Sequence, residues 1–339
     1  MRIAIIAPIA WRTPPRKYGP WEQVVSNLTE GLVQKGIDVT LFATGDSITC
    51  AKLQAVCPGG YAENSELDAK VEECLHISQV MERANEFDLI HNHFDFLPLT
   101  YSRLINTPMV TTIHGFSSPK ILPVYQKYNA TNVYVSISHS DRHSTLDYSA
   151  TVYNGIKTQD FTFREKSKGD LLFFGRIHPE KGTLEAIKIA KKSGRRLLIS
   201  GLIQDQVYFD DHIKPLLNNT DIVYVGNSGP QDRDRLLGQA DALLHPILFN
   251  EPFGLSVAEA MMCGTPVIAF HRGSMSELIV EGKTGFLVKD VDGAVDALVK
   301  LPNLNRQACH DWALSHFSRE KMVEGYLSVY RLLIGGSLF

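Results

Sequence analysis

The chain is predicted to be an α/β protein made of two doubly wound, Rossmann-like domains, and three observations lead there. Short, nearly continuous apolar runs alternate with amphipathic helical stretches through both halves of the sequence. Such runs mark parallel strands buried on both faces, because helices cover each side of the sheet. The 339 residues suit two domains of about 150 residues each. Finally, the polar stretch "KTQDFTFREKSKGD", 157–170, has neither strand nor helix periodicity and separates the two series. It reads as an interdomain linker.

In the first half the expected strands are "RIAIIAP", "DVTLFAT", "DLIHN", "MVTTIHG" and "VYVSIS". Between the first two, a helix over 22–35 aligns Val24, Val25, Leu28 and Leu32 on one face. Lys35-Gly36 closes it with a cation and a glycine stop. In the second half the strands are "DLLFFG", "RLLIS", "DIVYV", "DALLHP", "PVIAF" and "GFLV". The domains then run over 1–156 and 171–317, facing one another across a cleft.

Composition excludes several classes. A net charge of −3 gives no basic excess for nucleic acid. No apolar run reaches the roughly 20 residues of a membrane span. The opening "MRIAIIAPIAW" reads as a buried first strand; Pro8 interrupts it and no small-residue cleavage site follows, unlike a signal peptide. Cys50, Cys57, Cys74, Cys263 and Cys309 are scattered and lack CxxC spacing. They fit reduced thiols of a cytoplasmic protein, not a disulfide framework or a zinc site. No GxGxxG follows a strand, so a dinucleotide-dependent dehydrogenase loses its main support.

Ligands of such sheets bind beyond the carboxyl ends of the strands. There "FFGRIHPEKG" brings Arg176 and Lys181 to a strand end and a helix N-terminus, a seat for a diphosphate. A solvated basic turn is the plainer reading, but a cation in the first helical turn opposes the dipole. The long first turn "WRTPPRKYGPWE" holds Arg12, Arg16, Lys17 and Gly19, the glycine permitting close approach of backbone to a phosphate. His91, His93 and His114 lie at or just past strand ends. A lone histidine is more often structural, and His91 with His93 lacks further metal ligands. His114, beside Gly115, is the better functional candidate. The strings Asp232-Arg233-Asp234 and Asp290-Val291-Asp292 precede helical runs, so helix capping explains them and no metal is assigned.

The stretch "EPFGLSVAEAMMCGTPVIA" places Glu251 and Glu259 eight positions apart in an apolar setting. A carboxylate there is costly unless its charge is needed. Ser256-x-x-Glu259 reads as a capping box, which accounts for Glu259 and leaves Glu251 unexplained. Eight helical residues advance about 12 Å. That exceeds the spacing of glycosidase carboxylates, about 5–5.5 Å in retaining and 6.5–9.5 Å in inverting enzymes. It matches the reach of a nucleotide-sugar from hexose to ribose, with the amides of Phe253, Gly254 and Leu255 between.

With these residues assembled, the chain resembles the retaining glycosyltransferases of family 4, of the GT-B fold. Glu251 to Glu259 stands as the E-x7-E motif. The resemblance also takes in "YGPWEQVVSNLTEGLVQKG", "DLIHNH", "TTIHG", "SISHSDR", "VYNGI", "GRIHPEKG", "GKTGFLV" and "FSREKMVEGYLSVYRLL". It is nearest to the short antibiotic- and polysaccharide-type members. It implies that Arg176 and Lys181 bind the donor diphosphate and that Glu259 takes the ribose. Glu251, with the amides of Phe253, Gly254 and Leu255, would hold the hexose, beside His114, while Gly19 approaches the diphosphate. Where the family has Gly-Gly this chain has Gly19-Pro20, and Lys157 stands where Asp is frequent after "NGI". The last helix, near 318–334, is expected to cross back onto the first domain.

The implied reaction is a metal-independent, front-face transfer of a hexose with retention. UDP-glucose is the first donor to expect and GDP-mannose the second, and no cofactor is needed. The acceptor is a small molecule, a glycan or a lipid-linked sugar, faced by Arg12, Arg16 and Lys17, with room for peripheral membrane contact. Two other readings stand beside it: a nucleotide-sugar epimerase of the same architecture, and a non-catalytic nucleotide-sugar binder.

Overall fold

A computed structural model of the chain describes residues 1–116 and 118–335. Two compact units emerge, one of residues 1–155 with 319–339 and one of residues 156–318.

Unit 1 carries seven strands: β1 (Arg2–Ile6), β2 (Asp38–Phe42), β3 (Lys52–Gln54), β4 (Leu89–Asn92), β5 (Met109–Ile113), β6 (Val133–Ser136) and β7 (Tyr148–Thr151). All pair in parallel in the order β3-β2-β1-β4-β5-β6-β7. Helices α1 (Pro20–Gln34), α2 (Ala69–Glu82) and α3 (Leu122–Tyr128) connect them. The apolar runs are the buried centre of the sheet, with Ile3, Ile5, Ile6, Leu41 and Ile90 fully covered. β3 and β7 were not expected. Both are edge strands, "KLQ" and "YSAT", partly exposed, so neither carries the apolar run by which a central strand is recognised. Helix α1 begins two residues before the expected 22, because Pro20 occupies the first position, where a missing N–H is no loss.

Unit 2 carries β8 (Leu171–Phe174), β9 (Leu197–Ser200), β10 (Ile222–Tyr224), β11 (Ala242–His245), β12 (Val267–Phe270) and β13 (Gly285–Val288), parallel in the order β10-β9-β8-β11-β12-β13. Its helices are α4 (Thr183–Ser193), α5 (Gln206–Tyr208), α6 (Pro230–Gln239), α7 (Leu255–Met262), α8 (Met275–Leu278), α9 (Val291–Lys300) and α10 (Arg306–Phe317). One apolar core joins α4 and α9 to the sheet through Ile187, Ile199, Leu244, Ile268 and Leu298.

The stretch 157–170 is part of unit 2 and not a free linker. Arg164 is the reason: its guanidinium pairs with Asp234 at 2.6 Å, and its carbonyl accepts from Arg306 Nε at 2.7 Å. Polar composition here reflects ion pairs within the unit. Helix α11 (Arg319–Ile334) belongs to unit 1, where Asn27 of α1 donates to Gly155 O at 2.8 Å and Arg319 to Gln34 at 3.0 Å. Tyr326 and Tyr330 on α11 are fully buried.

Unit 1 therefore depends on α11. Tyr326→Ala removes a fully buried ring and should destabilise the unit by about 3–5 kcal/mol. Leu332→Ala, at a position 50% exposed, should cost less than about 0.5 kcal/mol. Denaturant unfolding of the two variants checks this; equal effects would mean that α11 is not part of the core.

Candidate active site

In unit 2, β8 lies between β9 and β11, so the chain leaves β8 and β11 in opposite directions. A sheet reversal of this kind opens a crevice at the carboxyl ends of the two strands. The segment after β8 carries Arg176, a 3-10 turn over Pro179–Lys181, and Gly182 at the head of α4. Gly182 has φ +75° and touches the chain after β11 so closely that a Cβ would lie 1.9 Å from Pro246 O. Leu248 N also donates to Glu180 O at 2.8 Å. These contacts clamp the two strand-end segments together and carry Lys181 to Glu251.

Lys181 Nζ donates to Glu251 Oε2 at 2.5 Å, the two side chains being 14% and 12% exposed. The ammonium also stands 4.6 Å from the centre of the Phe249 ring. Burial alone would raise the Glu251 carboxyl, but the Lys181 charge, with His245 beside it, holds it at about 2. His245 closes β11 and is buried. Its Nε2 is 3.7 Å from Glu251 Oε2, too long for a hydrogen bond, and has no partner. Arg176 is not part of this pair; it donates to Gln204 Oε1.

Glu251 is held from behind, since Ser274 N donates to Glu251 O at 2.9 Å and Ser274 Oγ to Phe253 O at 2.6 Å. Gly254, at φ +95°, then turns the chain into α7. The capping box expected at Ser256 and Glu259 does not form: Gly254 is the N-cap and no side chain caps the helix. Glu259 instead lies buried within α7, with Arg233 Nη1 3.3 Å from its Oε1. Burial raises the Glu259 carboxyl and the Arg233 charge opposes the rise. At the start of α7, the amides of Leu255 and Ser256 have no acceptor within a helix.

The aspartate strings are only half explained by capping. Asp290 caps α9 by accepting from Gly293 N at 2.9 Å. Asp232 and Asp234 lie inside α6, paired with Arg235 and Arg164. Among the described residues, no group of three or more His, Cys, Asp or Glu side chains could hold a metal ion.

In unit 1, Gly19 has φ +151° and precedes α1; a Cβ there would meet Pro15 Cβ at 2.7 Å. Of the three loop cations, Arg16 is bound to Asp46 at 3.0 Å and Glu63 at 2.9 Å, and Arg12 Nε donates to Pro14 O. Lys17 is exposed. His114 follows β5, is buried, and stacks on Trp21 with ring centres 5.3 Å apart. Its Nε2 meets His93 Nδ1 at 2.9 Å, and its Nδ1 has no partner.

Arg233 and His245 are the site residues that the sequence reading missed. His245 was open to the same argument as His114, a histidine at a strand end. Arg233 was hidden inside an aspartate string read only for its carboxylates.

The model of glycosyltransferase family 4 matches residues 21–160, and that of glycosyl transferases group 1 matches residues 156–312. The chain belongs to the family 4 glycosyltransferases. This glycosyltransferase is 26% identical over 327 residues to a D-inositol 3-phosphate glycosyltransferase of Arthrobacter sp., covering 78% of this chain and 76% of that protein. Among solved structures it is similar to AviGT4, a glycosyltransferase of avilamycin A biosynthesis (TM-score 0.73, 24% identity, 99% and 98% of the two chains). Anabaena HepE in complex with UDP-glucose shares the fold at TM-score 0.73, 18% identity, and 97% and 99% coverage. These neighbours confirm the GT-B fold. No helix of the described residues is long and apolar enough to cross a membrane.

The Lys181–Glu251 pair has a pH signature. The folded-state pKa of Glu251, about 2, lies below the ordinary 4.5, so its stabilising contribution is complete above 4.5 and is lost as pH falls towards 2. Glu251→Gln strands the buried ammonium and should cost about 3–5 kcal/mol near neutral pH. The gap in thermal midpoint between the two proteins should hold constant down to about pH 4.5 and narrow below it. A gap that narrows above that pH would contradict the assignment.

Proposed function

We propose that this glycosyltransferase moves a hexose from a nucleoside-diphosphate sugar to an acceptor hydroxyl, retaining the anomeric configuration and using no metal ion. The observation that carries the reading is the buried Lys181–Glu251 pair at the reversal point of the unit 2 sheet. An ammonium has three donors. Glu251 uses one, and the others serve the oxygens of a diphosphate, joined by Arg176 and the first amides of α7. Negative charge grows on the diphosphate as the glycosidic bond breaks, and fixed cations stabilise it there.

Glu251, held ionised, accepts hydrogen bonds from hexose hydroxyls. A carboxylate with a pKa of about 2 is a weak base and a poor nucleophile. This supports front-face attack, in which the acceptor's proton passes to the departing phosphate oxygen and the new bond forms on the face the diphosphate leaves. Glu259, with Arg233 opposing its protonation, accepts from the ribose hydroxyls. In unit 1, His114 offers a substrate contact. UDP-glucose is the first donor to assay because HepE, which shares the fold, binds it; GDP-mannose is the second.

Lys181→Ala should lower kcat by about 100-fold or more, with a smaller change in donor KM, since the interaction grows in the transition state. The wild-type rate should be the same in excess EDTA as with magnesium. A KM effect alone would make Lys181 an anchor, and EDTA inhibition reversed by magnesium would contradict metal independence.

The two glutamates should separate. Glu259→Ala should weaken binding of the bare nucleoside diphosphate by about 10- to 100-fold, the loss of charge-assisted hydrogen bonds. Glu251→Ala should leave that affinity nearly unchanged while transfer falls steeply. Calorimetry and transfer kinetics on both variants decide it; equal losses of nucleotide affinity would sink the two-ended reading.

A further inference from the structure

His91, His93 and His114 form a continuous buried chain in unit 1 that the reaction scheme leaves unused. Tyr330 Oη, on α11, lies 2.6 Å from His91 Nδ1, and His91 Nε2 lies 2.8 Å from Thr112 Oγ1. Thr112 Oγ1 in turn meets Tyr326 Oη at 2.8 Å. His93 Nε2 is 3.3 Å from the same His91 Nδ1, and His93 Nδ1 is 2.9 Å from His114 Nε2. The chain ends at His114 Nδ1, buried without a partner. Burial holds all three rings well below the ordinary histidine range, His114 at about 3, so each is neutral. Every ring therefore has one N–H and one lone pair.

Only two proton orders pair each contact with a donor and an acceptor. In one, Tyr330 donates to His91 Nδ1, His91 Nε2 donates to Thr112, His93 Nε2 also points its hydrogen at His91 Nδ1, and His114 Nε2 donates to His93. This leaves one hydroxyl hydrogen of the Thr112–Tyr326 pair over and His114 Nδ1 as a bare acceptor, and the single lone pair of His91 Nδ1 is shared between the Tyr330 hydrogen at 2.6 Å and the more distant His93 hydrogen at 3.3 Å. The reverse order buries two hydrogens without acceptors, those of Tyr330 and His114 Nδ1. Orphaned buried donors are the rarer defect. The 2.6 Å contact also falls below the usual range of N–H donors to oxygen, about 2.7–3.2 Å, and hydroxyls are the donors that make the shorter bonds. Tyr330 is thus the donor.

We propose that Tyr330 is a positioning residue: through His91 and His93 it fixes His114 in the tautomer protonated on Nε2, so that Nδ1 accepts from a sugar hydroxyl of the substrate. A carboxylate or phosphate oxygen at that point would meet lone pair with lone pair. The inference rests on the reading of His114 as a substrate contact.

Long-range proton–nitrogen NMR of protein labelled with 15N-histidine reads each ring's tautomer, and His114→Gln assigns the His114 signals by their loss. The wild type should show His114 protonated on Nε2 and bare on Nδ1. Tyr330→Phe keeps the ring and removes the proton. It should raise the fraction protonated on Nδ1 and lower kcat about tenfold, the value of one misplaced hydrogen bond, with a smaller change in donor KM. Wild-type His114 protonated on Nδ1 overturns the relay, as does a Tyr330→Phe spectrum unchanged from wild type. Transfer by His114→Gln at the wild-type rate removes the substrate contact itself, and with it the positioning role, whatever the spectra show.

Discussion

Lys181 against Glu251 is the contact around which unit 2 is arranged. Burying two opposite charges is no route to stability, because desolvation consumes most of what their attraction returns. The fold nevertheless goes to some length to make the pair. β8 and β11 must be neighbours with opposite onward connections, and the segments beyond them must touch. Gly182 permits that touch where any side chain would collide with Pro246. Gly254, in a left-handed conformation, then turns the chain from Glu251 into α7. The result is a cation with hydrogen-bond capacity to spare and an anion that stays ionised, side by side at the sheet's reversal point. In the proposed transfer, charge fixed in this way need not be gathered when the reaction happens.

Unit 1 solves a related problem without charge. Its three buried histidines are neutral, and what they deliver is direction: a defined donor and acceptor order ending at one free lone pair. The order originates on α11, distant in sequence but packed in the same core. A helix that completes a hydrophobic core can also supply the hydroxyl that sets a buried polar network, since such networks are stable only when their donors and acceptors are counted out.

Much of this was legible in the sequence. All six strands of unit 2 announce themselves as apolar runs, and five of the seven in unit 1 do. The two edge strands lack that pattern, because they have less to bury. Arg176, Lys181 and His114 stand out at strand ends and a helix N-terminus, and Glu251 as a carboxylate in an apolar stretch that capping leaves unexplained. Which of them meet was not legible: Lys181 reaches Glu251 while Arg176 turns to Gln204, a choice made by packing beyond the motif. Local pattern also misled. Ser256 and Glu259 have the spacing of a capping box, yet Gly254 caps the helix two residues before Ser256 and leaves Glu259 to Arg233. The polar run 157–170 looked like a linker because ion pairs and solvated loops share a composition.

The most direct measurement is a crystal structure of the protein with UDP bound. A diphosphate oxygen is expected within hydrogen-bond distance of Lys181 Nζ, with the ribose hydroxyls on the Glu259 carboxylate. UDP seated elsewhere, with the Lys181–Glu251 pair untouched by ligand, would contradict it.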